Sequence, residues 1–135
     1  MFNLIYRDGA PENAGHYEGF QKDAKATVMS VGELVSVTNG VASKYASGKP
    51  YGVVARASGK DEEDVAVLRI TDDMIFRTTT TDTTGVGKGD KKKVTISGIT
   101  TGAATGVAFE ITDVVSETML DGRFVDVDVV SENDA

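Results

Sequence analysis

The sequence contains no cysteine and no tryptophan, and it has one histidine. Without cysteine there are no disulfides and no thiolate metal sites, so a secreted module held together by disulfides is not expected. Acidic residues outnumber basic ones by 21 to 14, which gives a net charge of −7 and an isoelectric point near 4.6. Because this charge repels phosphate backbones and anionic membrane surfaces, we expect neither nucleic acid nor a membrane as a partner.

Long apolar runs are also missing. The run Phe2–Tyr6 is followed directly by Arg7-Asp8, so it is too short for a signal peptide or a membrane span. We therefore expect a soluble protein. Its 135 residues correspond to one domain, which can bury about two thirds of the surface that the unfolded chain exposes.

The sequence lacks the residue patterns of catalytic and cofactor sites. His16 stands in an irregular segment, with no cysteine and no G-x-S-x-G serine for it to activate. The run Gly85–Lys91 contains glycine and lysine without the spacing of a phosphate-binding P-loop. The acidic runs Asp61–Asp64 and Glu132–Asp134 do not form a calcium-loop motif. We therefore predict that the protein is not an enzyme and has no cofactor and no metal.

Glycine, threonine and valine are abundant, which favours short strands joined by tight turns. The clearest signal lies in Thr27–Ala57, where Asn39-Gly40 separates two β-prone runs and predicts a type I′ hairpin. Seven further runs are predicted as strands: Val41–Tyr45, Tyr51–Ala57, Asp64–Thr71, Met74–Thr80, Val94–Ser97, Val107–Thr112 and Arg123–Val130. The predicted fold is all-β, a small β-sandwich or β-barrel of short antiparallel strands with an irregular N-terminal arm.

Three segments between the predicted strands are expected to be irregular. The polar, low-complexity run Thr78–Lys93 predicts an exposed loop, and Gly98–Gly106 predicts a glycine- and threonine-rich turn. The run Ser116–Leu120 weakly indicates a helical turn. In the last strand, Val125 and Val127 are expected to face the core, because aspartates alternate with them.

The chain is predicted to divide into an N-terminal arm (1–26), a β-domain (27–130) and an acidic tail (131–135). Weak internal sequence similarity suggests that the β-domain has two similar halves, 27–80 and 86–130. These halves would stack face to face or close into one barrel.

The arm carries large apolar side chains that are costly to leave in water, since burial contributes about 25 cal/mol per Å² of apolar surface. A poorly ordered terminus is the alternative. We predict that the arm docks on a partner or on a neighbouring subunit. Its candidate binding residues are Phe2, Leu4, Ile5, Tyr6, Tyr17 and Phe20.

Three segments carry a resemblance to a known family: MSVGELV (Met29–Val35), GKPYGVVA (Gly48–Ala55) and ITDDMIFR (Ile70–Arg77). In these segments the sequence resembles the small capsid decoration proteins of tailed bacteriophages, also called head-stabilisation or cement proteins. The resemblance covers roughly residues 27–130 and consists of β patterns.

The resemblance implies a structural virion protein, made in the host cytoplasm, that binds the outer surface of an assembled capsid. It would stabilise the capsid by bridging subunits of the major capsid protein, as a homo-oligomer in which a trimer is favoured. Two other classes remain open from the residues. One is a phage tail, fibre or host-adhesion β-module that binds a receptor or glycan, and the other is a small hydrolase or calcium-dependent binder that uses the acidic loops.

Overall fold

The computed structural model describes residues 1–7, 17–24, 27–46, 48–71, 74–80, 83–103 and 106–127. These residues form eleven strands and no helix, so they contain none that is long and apolar enough to cross a membrane. The strands are β1 (Asn3–Arg7), β2 (Tyr17–Lys22), β3 (Leu34–Thr38), β4 (Val41–Lys44), β5 (Gly52–Arg56), β6 (Asp64–Arg69), β7 (Met74–Thr79), β8 (Lys91–Thr95), β9 (Gly98–Ala103), β10 (Gly106–Ser116) and β11 (Met119–Val127). The prediction of an all-β fold is confirmed.

The strands form two sheets. One closes into a barrel in the order β2-β4-β3-β5-β6, with β2 antiparallel to β6 and parallel to β4. The other is an open sheet of six strands in the order β1-β7-β11-β10-β8-β9. The fold therefore combines a barrel with a sheet packed on it. The chain passes from the open sheet to the barrel between β1 and β2 and returns between β6 and β7, whereas the two halves suggested by the sequence divide at residues 80–86.

The hairpin between β3 and β4 turns at the dipeptide that predicted it. Asn39 and Gly40 have φ angles of 53° and 78°, the positive values that a type I′ turn requires at both positions. Thr38 and Val41 pair directly on either side of the turn. The predicted hairpin is thus confirmed, and a turn of this kind depends on local sequence alone.

Successive residues of the barrel strands face two different cores, because side chains alternate between the two faces of a strand. In β3, Leu34 packs against the open sheet and Val35 packs inside the barrel. In β5, Val53 and Val54 divide in the same way. The fold therefore has one core between the barrel and the sheet and a second core within the barrel.

Phe2 lies in the core between the barrel and the sheet and is only 1% exposed. Its ring centroid is 5.0 Å from that of Phe124 and 5.4 Å from that of Phe109. Its backbone N–H donates a hydrogen bond of 2.9 Å to the carbonyl oxygen of Gly32. The residue therefore attaches the start of β1 to both sheets.

The structure corrects the prediction of an irregular arm where it describes residues 1–26. Asn3–Arg7 is a strand paired with β7, and Tyr17–Lys22 is a strand paired with β6. Neither strand is joined to its partner by a short turn, so no local signal marked it as a strand. Residues 8–16 and 25–26 lie outside the described residues, as does the predicted acidic tail.

Several predicted loops and turns are strands in part. The predicted loop Thr78–Lys93 begins within β7 and ends within β8, and most of the predicted glycine- and threonine-rich turn is β9. The predicted helical turn is the tight connection between β10 and β11. Threonine favours extended backbone, and pairing with neighbouring strands makes these segments β-strands in place of loops. In β11 it is Phe124, and not Val125, that enters the core.

The position of Phe2 predicts a large loss of stability on truncation. Phe2→Ala is expected to lower the free energy of unfolding by about 3–5 kcal/mol, since it leaves a cavity among well-packed aromatic rings. Tyr17→Ala is the matched control, because Tyr17 is 61% exposed and its loss should cost about 1 kcal/mol or less. Urea unfolding of the two variants measures the difference. Equal losses would show that Phe2 is not a core residue.

Candidate interaction surfaces

The structure describes the glycine- and lysine-rich run but not His16. The glycine- and lysine-rich run is a loop before β8, in which the N–H of Gly87 donates to Asp90 Oδ2 at 2.8 Å. A carboxylate of the chain therefore occupies a donor that a phosphate would need. Within the described ranges, no group of three or more histidine, aspartate or glutamate side chains could hold a metal ion. His16 lies outside those ranges.

A groove of about 220 Å³ lies between β1 and the barrel, and we call it the β1 groove. Buried residues of both sheets form its floor, among them Phe2, Leu68 and Phe76. Tyr17 and Val31 line it as well and are 61% and 48% exposed. The remaining lining residues are Asn3, Leu4, Val53, Val54 and Ala55. Among the described residues that line the groove, none is charged.

Strand pairing and one tight turn position the groove residues. Tyr17 opens β2 opposite Leu68, and Leu4 lies opposite Phe76. Val31 sits in the turn before β3, which the Ser30 N–H closes by donating to Glu33 Oε1 at 2.9 Å. The residue that follows Val31 in this turn is Gly32, which has a positive φ angle.

Gly32 has a φ angle of 94°, a conformation that L side chains rarely adopt. Its N–H donates to Val54 at 3.0 Å, and its carbonyl oxygen accepts from Phe2. A β-carbon at this position would lie 2.7 Å from Cβ of Met1. Only glycine therefore lets the start of the chain approach the barrel closely enough to form the groove.

The groove brings together three of the six residues predicted to bind a partner. Leu4 is half-buried and Tyr17 is largely exposed, so both are accessible from the groove. Phe2 forms part of the floor and is buried in the protein's own core. Partner binding at Leu4 and Tyr17 stays a prediction.

The structure separates the other candidates from the groove. Ile5 is half-buried at an irregularity in the pairing of β1 with β7. Phe20 packs edge-on against Tyr51 at 5.4 Å, next to the core of the barrel. The side chain of Tyr6 lies outside the part of the chain that is described. Sequence reasoning did not single out Val31, although the glycine that follows it is a signal for a turn.

A second apolar surface lies at the end of the β10–β11 hairpin, and we call residues Asp113–Thr118 the hairpin tip. Val114 and Val115 are 37% and 39% exposed. Consecutive residues of a regular strand face opposite sides, but register shifts on both sides of Val114 alter the strand here. The tip is held in place by Thr83, whose Oγ1 donates to the carbonyl oxygen of Ser116 at 3.0 Å.

Five charged side chains on strands of the open sheet form ion pairs: Arg77, Lys91, Glu110, Asp121 and Arg123. Arg77 forms two hydrogen bonds with Asp121, at 2.8 and 3.1 Å, and these bonds raise the pKa of Arg77. Glu110 accepts from Arg123 at 2.9 Å and lies 3.8 Å from Lys91. These pairs link β7 to β11, β11 to β10 and β10 to β8, so they contribute to the register of neighbouring strands in the sheet.

Tyr51, Glu18 and Arg69 form a polar cluster on the barrel. The hydroxyl of Tyr51 donates to Glu18 Oε1 at 2.5 Å, and the Arg69 guanidinium lies 5.5 Å from the ring centroid. The hydrogen bond to Glu18, followed by burial, raises the pKa of Tyr51. The cluster borders an open cavity of about 360 Å³ that Lys49 and Pro50 also line.

Comparison of the sequence with protein-family models finds no match, and a search of curated proteins finds none either. In the described part of the chain, the β1 groove and the hairpin tip both carry exposed apolar side chains.

The raised pKa of Tyr51 predicts how stability depends on alkaline pH. The hydrogen bond stabilises the neutral phenol in the folded protein. Its contribution to the free energy of unfolding is therefore fully present below the ordinary tyrosine pKa of 10, and it is lost as the pH rises through the higher pKa of Tyr51 in the folded protein. Glu18→Ala should therefore make a tyrosine titrate at lower pH than in the wild type. Tyrosinate absorbance against pH measures this, and superimposable curves for the two proteins would contradict the prediction.

Proposed function

We propose that this protein is a structural virion protein that binds the outer surface of an assembled phage capsid. It stabilises the capsid by bridging subunits of the major capsid protein, as a homo-oligomer for which three copies are favoured. It acts by binding and not by catalysis. Its place is the exterior of the virion.

The β1 groove is the observation that carries this proposal. An exposed, uncharged groove lined by Leu4, Tyr17 and Val31 is suited to binding another apolar surface. At about 220 Å³ it is smaller than the sites that bury drug-sized ligands or cofactors, which occupy about 300–1,000 Å³. A groove of this size accommodates side chains of a protein partner, as a capsid contact or a contact between copies requires.

The segments that carry the resemblance also support the proposal. Met29–Val35 contributes to both cores, Gly48–Ala55 leads into β5, and Ile70–Arg77 joins the barrel to the open sheet. These segments build the framework that connects the two sheets. The resemblance to decoration proteins is therefore a resemblance in the residues that determine the fold.

Binding to an assembled shell explains how such a protein would stabilise it. A ligand that binds only the assembled state shifts the equilibrium toward that state by mass action. An oligomer that engages several capsid subunits at once gains further affinity, because each later contact forms at high effective concentration. A small all-β protein suits this role without any chemical step.

The test is co-sedimentation with empty, expanded shells assembled from the major capsid protein encoded in the same genome. The expected result is saturable binding at a fixed ratio to capsid subunits, together with a raised melting temperature of the shells. The paired change Tyr17→Asp with Val31→Asp should weaken binding by about tenfold or more, which corresponds to about 1.4 kcal/mol.

Val28→Asp is the matched control for this experiment. Val28 is 50% exposed but does not line the β1 groove, so this variant should bind as the wild type does. Failure of the wild-type protein to sediment with mature shells would contradict the proposal. Saturable binding to host cells or to a glycan array in that case would favour a tail, fibre or adhesion module.

A further inference from the structure

We infer that a cavity on the barrel binds a small organic anion with the chemistry of an acidic sugar, in which one ring carries a carboxylate and several hydroxyl groups. We call this cavity the β3 notch. It has a volume of about 360 Å³ and lies between residues 36–38 of β3, residues 49–51 before β5 and residues 69–70 at the end of β6. None of its lining residues lines the β1 groove, so the inference goes beyond the proposed function and does not rest on it.

The notch opens where β3 separates from β5. The two strands pair at Leu34 and Val35, and residues 36–38 then continue along β4. The N–H of Tyr51 donates to the carbonyl oxygen of Val35 at 2.8 Å, and the carbonyl oxygen of Tyr51 accepts from the N–H of Ile70 at 3.1 Å. Backbone hydrogen bonds therefore fix the relative positions of the three segments that enclose the notch.

Arg69 is held in the notch by an aromatic ring. Its guanidinium lies 5.5 Å from the ring centroid of Tyr51. That ring is fixed in turn, because Phe20 packs on it edge-on at 5.4 Å and its hydroxyl donates to Glu18 at 2.5 Å. A guanidinium placed over an aromatic ring still presents its N–H groups at its edge, and this planar fork matches the two oxygens of a carboxylate. Arg69 is thus prearranged to bind a carboxylate.

The charge of the lining favours an anion. Among the described residues that line the notch, the charged ones are both cationic, namely Lys49 and Arg69, and both are exposed. The turn that precedes Lys49 is held by Tyr45, whose hydroxyl donates to the carbonyl oxygen of Gly48 at 2.8 Å. Two cations without a carboxylate are the reverse of the composition of the whole chain, which has a net charge of −7.

The net charge of the protein restricts the ligand to a small anion with few charges. Charges further apart than about 8 Å are largely screened at physiological ionic strength, so the two cations dominate the potential inside the notch. A polyanion would extend over the acidic surface outside and be repelled there. Glu18, which accepts the hydrogen bond from Tyr51, disfavours a second negative charge. A ligand with one carboxylate meets these conditions.

The rest of the lining fits a sugar ring. The volume of about 360 Å³ lies within the range of about 300–1,000 Å³ that is typical of small-molecule sites, and it leaves room beyond a carboxylate group. Val37, Pro50 and Ile70 supply apolar surface, while Ser36 and Thr38 supply hydroxyl groups that both donate and accept. A sugar ring has the same division, with C–H groups on its faces and hydroxyl groups at its edge.

Titration of the ¹⁵N-labelled protein with sodium glucuronate, followed by NMR, tests this inference. Saturable shift changes are expected at the amides of residues 36–38, Tyr51 and Arg69, with a Kd of about 1 mM for a ligand of this size. Glucose lacks the carboxylate and should bind about tenfold more weakly or worse. The affinity for glucuronate should also fall when NaCl is raised from about 20 to 500 mM, because the contact is between charges near the surface.

Substitution of the two cations tests their roles. Arg69→Gln should weaken glucuronate binding about tenfold or more, and Lys49→Gln about threefold, since lysine offers a point charge without the fork. Arg56→Gln is the matched control: Arg56 is an exposed arginine of β5 that does not line the notch, and the variant has the same net charge as Arg69→Gln. It should bind as the wild type does. Thermal melting that matches the wild type shows that each variant is folded.

Several results would overturn the inference. They are no saturable shift change up to about 20 mM glucuronate, shift changes away from the notch, equal binding of glucose, or folded Arg69→Gln and Lys49→Gln variants that bind as Arg56→Gln does. Inorganic phosphate that binds as tightly as glucuronate would show an adventitious ion only. Tighter binding of a peptide with a single glutamate would assign the notch to a protein partner and overturn the sugar. The titration uses no shells, so its outcome is independent of the test of capsid binding.

Discussion

The packing of Phe2 between the barrel and the open sheet is the interaction on which the rest of the structure depends. Its ring contacts those of Phe109 and Phe124 in the sheet, while its backbone bonds to Gly32 beside the barrel. Phe76 completes this group at 5.3 Å from Phe124. Phe2 thus packs in the core that joins the two sheets, together with Leu34 and Leu68 of the barrel. The groove exists because this residue brings β1 against the barrel.

Because the open sheet packs on the barrel, residues of the barrel strands β3 and β5 pack alternately into two cores. Because adjacent residues face the sheet and the barrel interior in turn, β3 and β5 carry apolar residues on both faces. A substitution at an apolar position of these strands therefore disturbs the packing of one core or the other. Among the described residues, exposed valines occur where strands end or deviate, at the turn that contains Val31 and at the irregular end of the β10–β11 hairpin.

Features that depend on local sequence could be predicted, and features that depend on distant pairing could not. Asn39-Gly40 determines its own turn, so the hairpin there was predictable. Asn3 pairs with Arg77, and nothing near residue 3 indicates that partner. The choice of Phe124 over Val125 for the core also depended on neighbouring strands, since both faces of β11 carry apolar residues. Leu4 and Tyr17 were identified by their apolar character, whereas the groove that unites them required the fold.

The order of the strands along the chain has a consequence for folding during synthesis. All five barrel strands lie between Tyr17 and Arg69, so the barrel can close before the later strands have emerged from the ribosome. The open sheet must then capture β1, whose partner β7 follows the whole barrel. Until that happens, Leu34, Val53 and Leu68 remain uncovered on the outside of the nascent barrel. The newly made protein therefore passes through a stage in which a chaperone has a defined surface to bind.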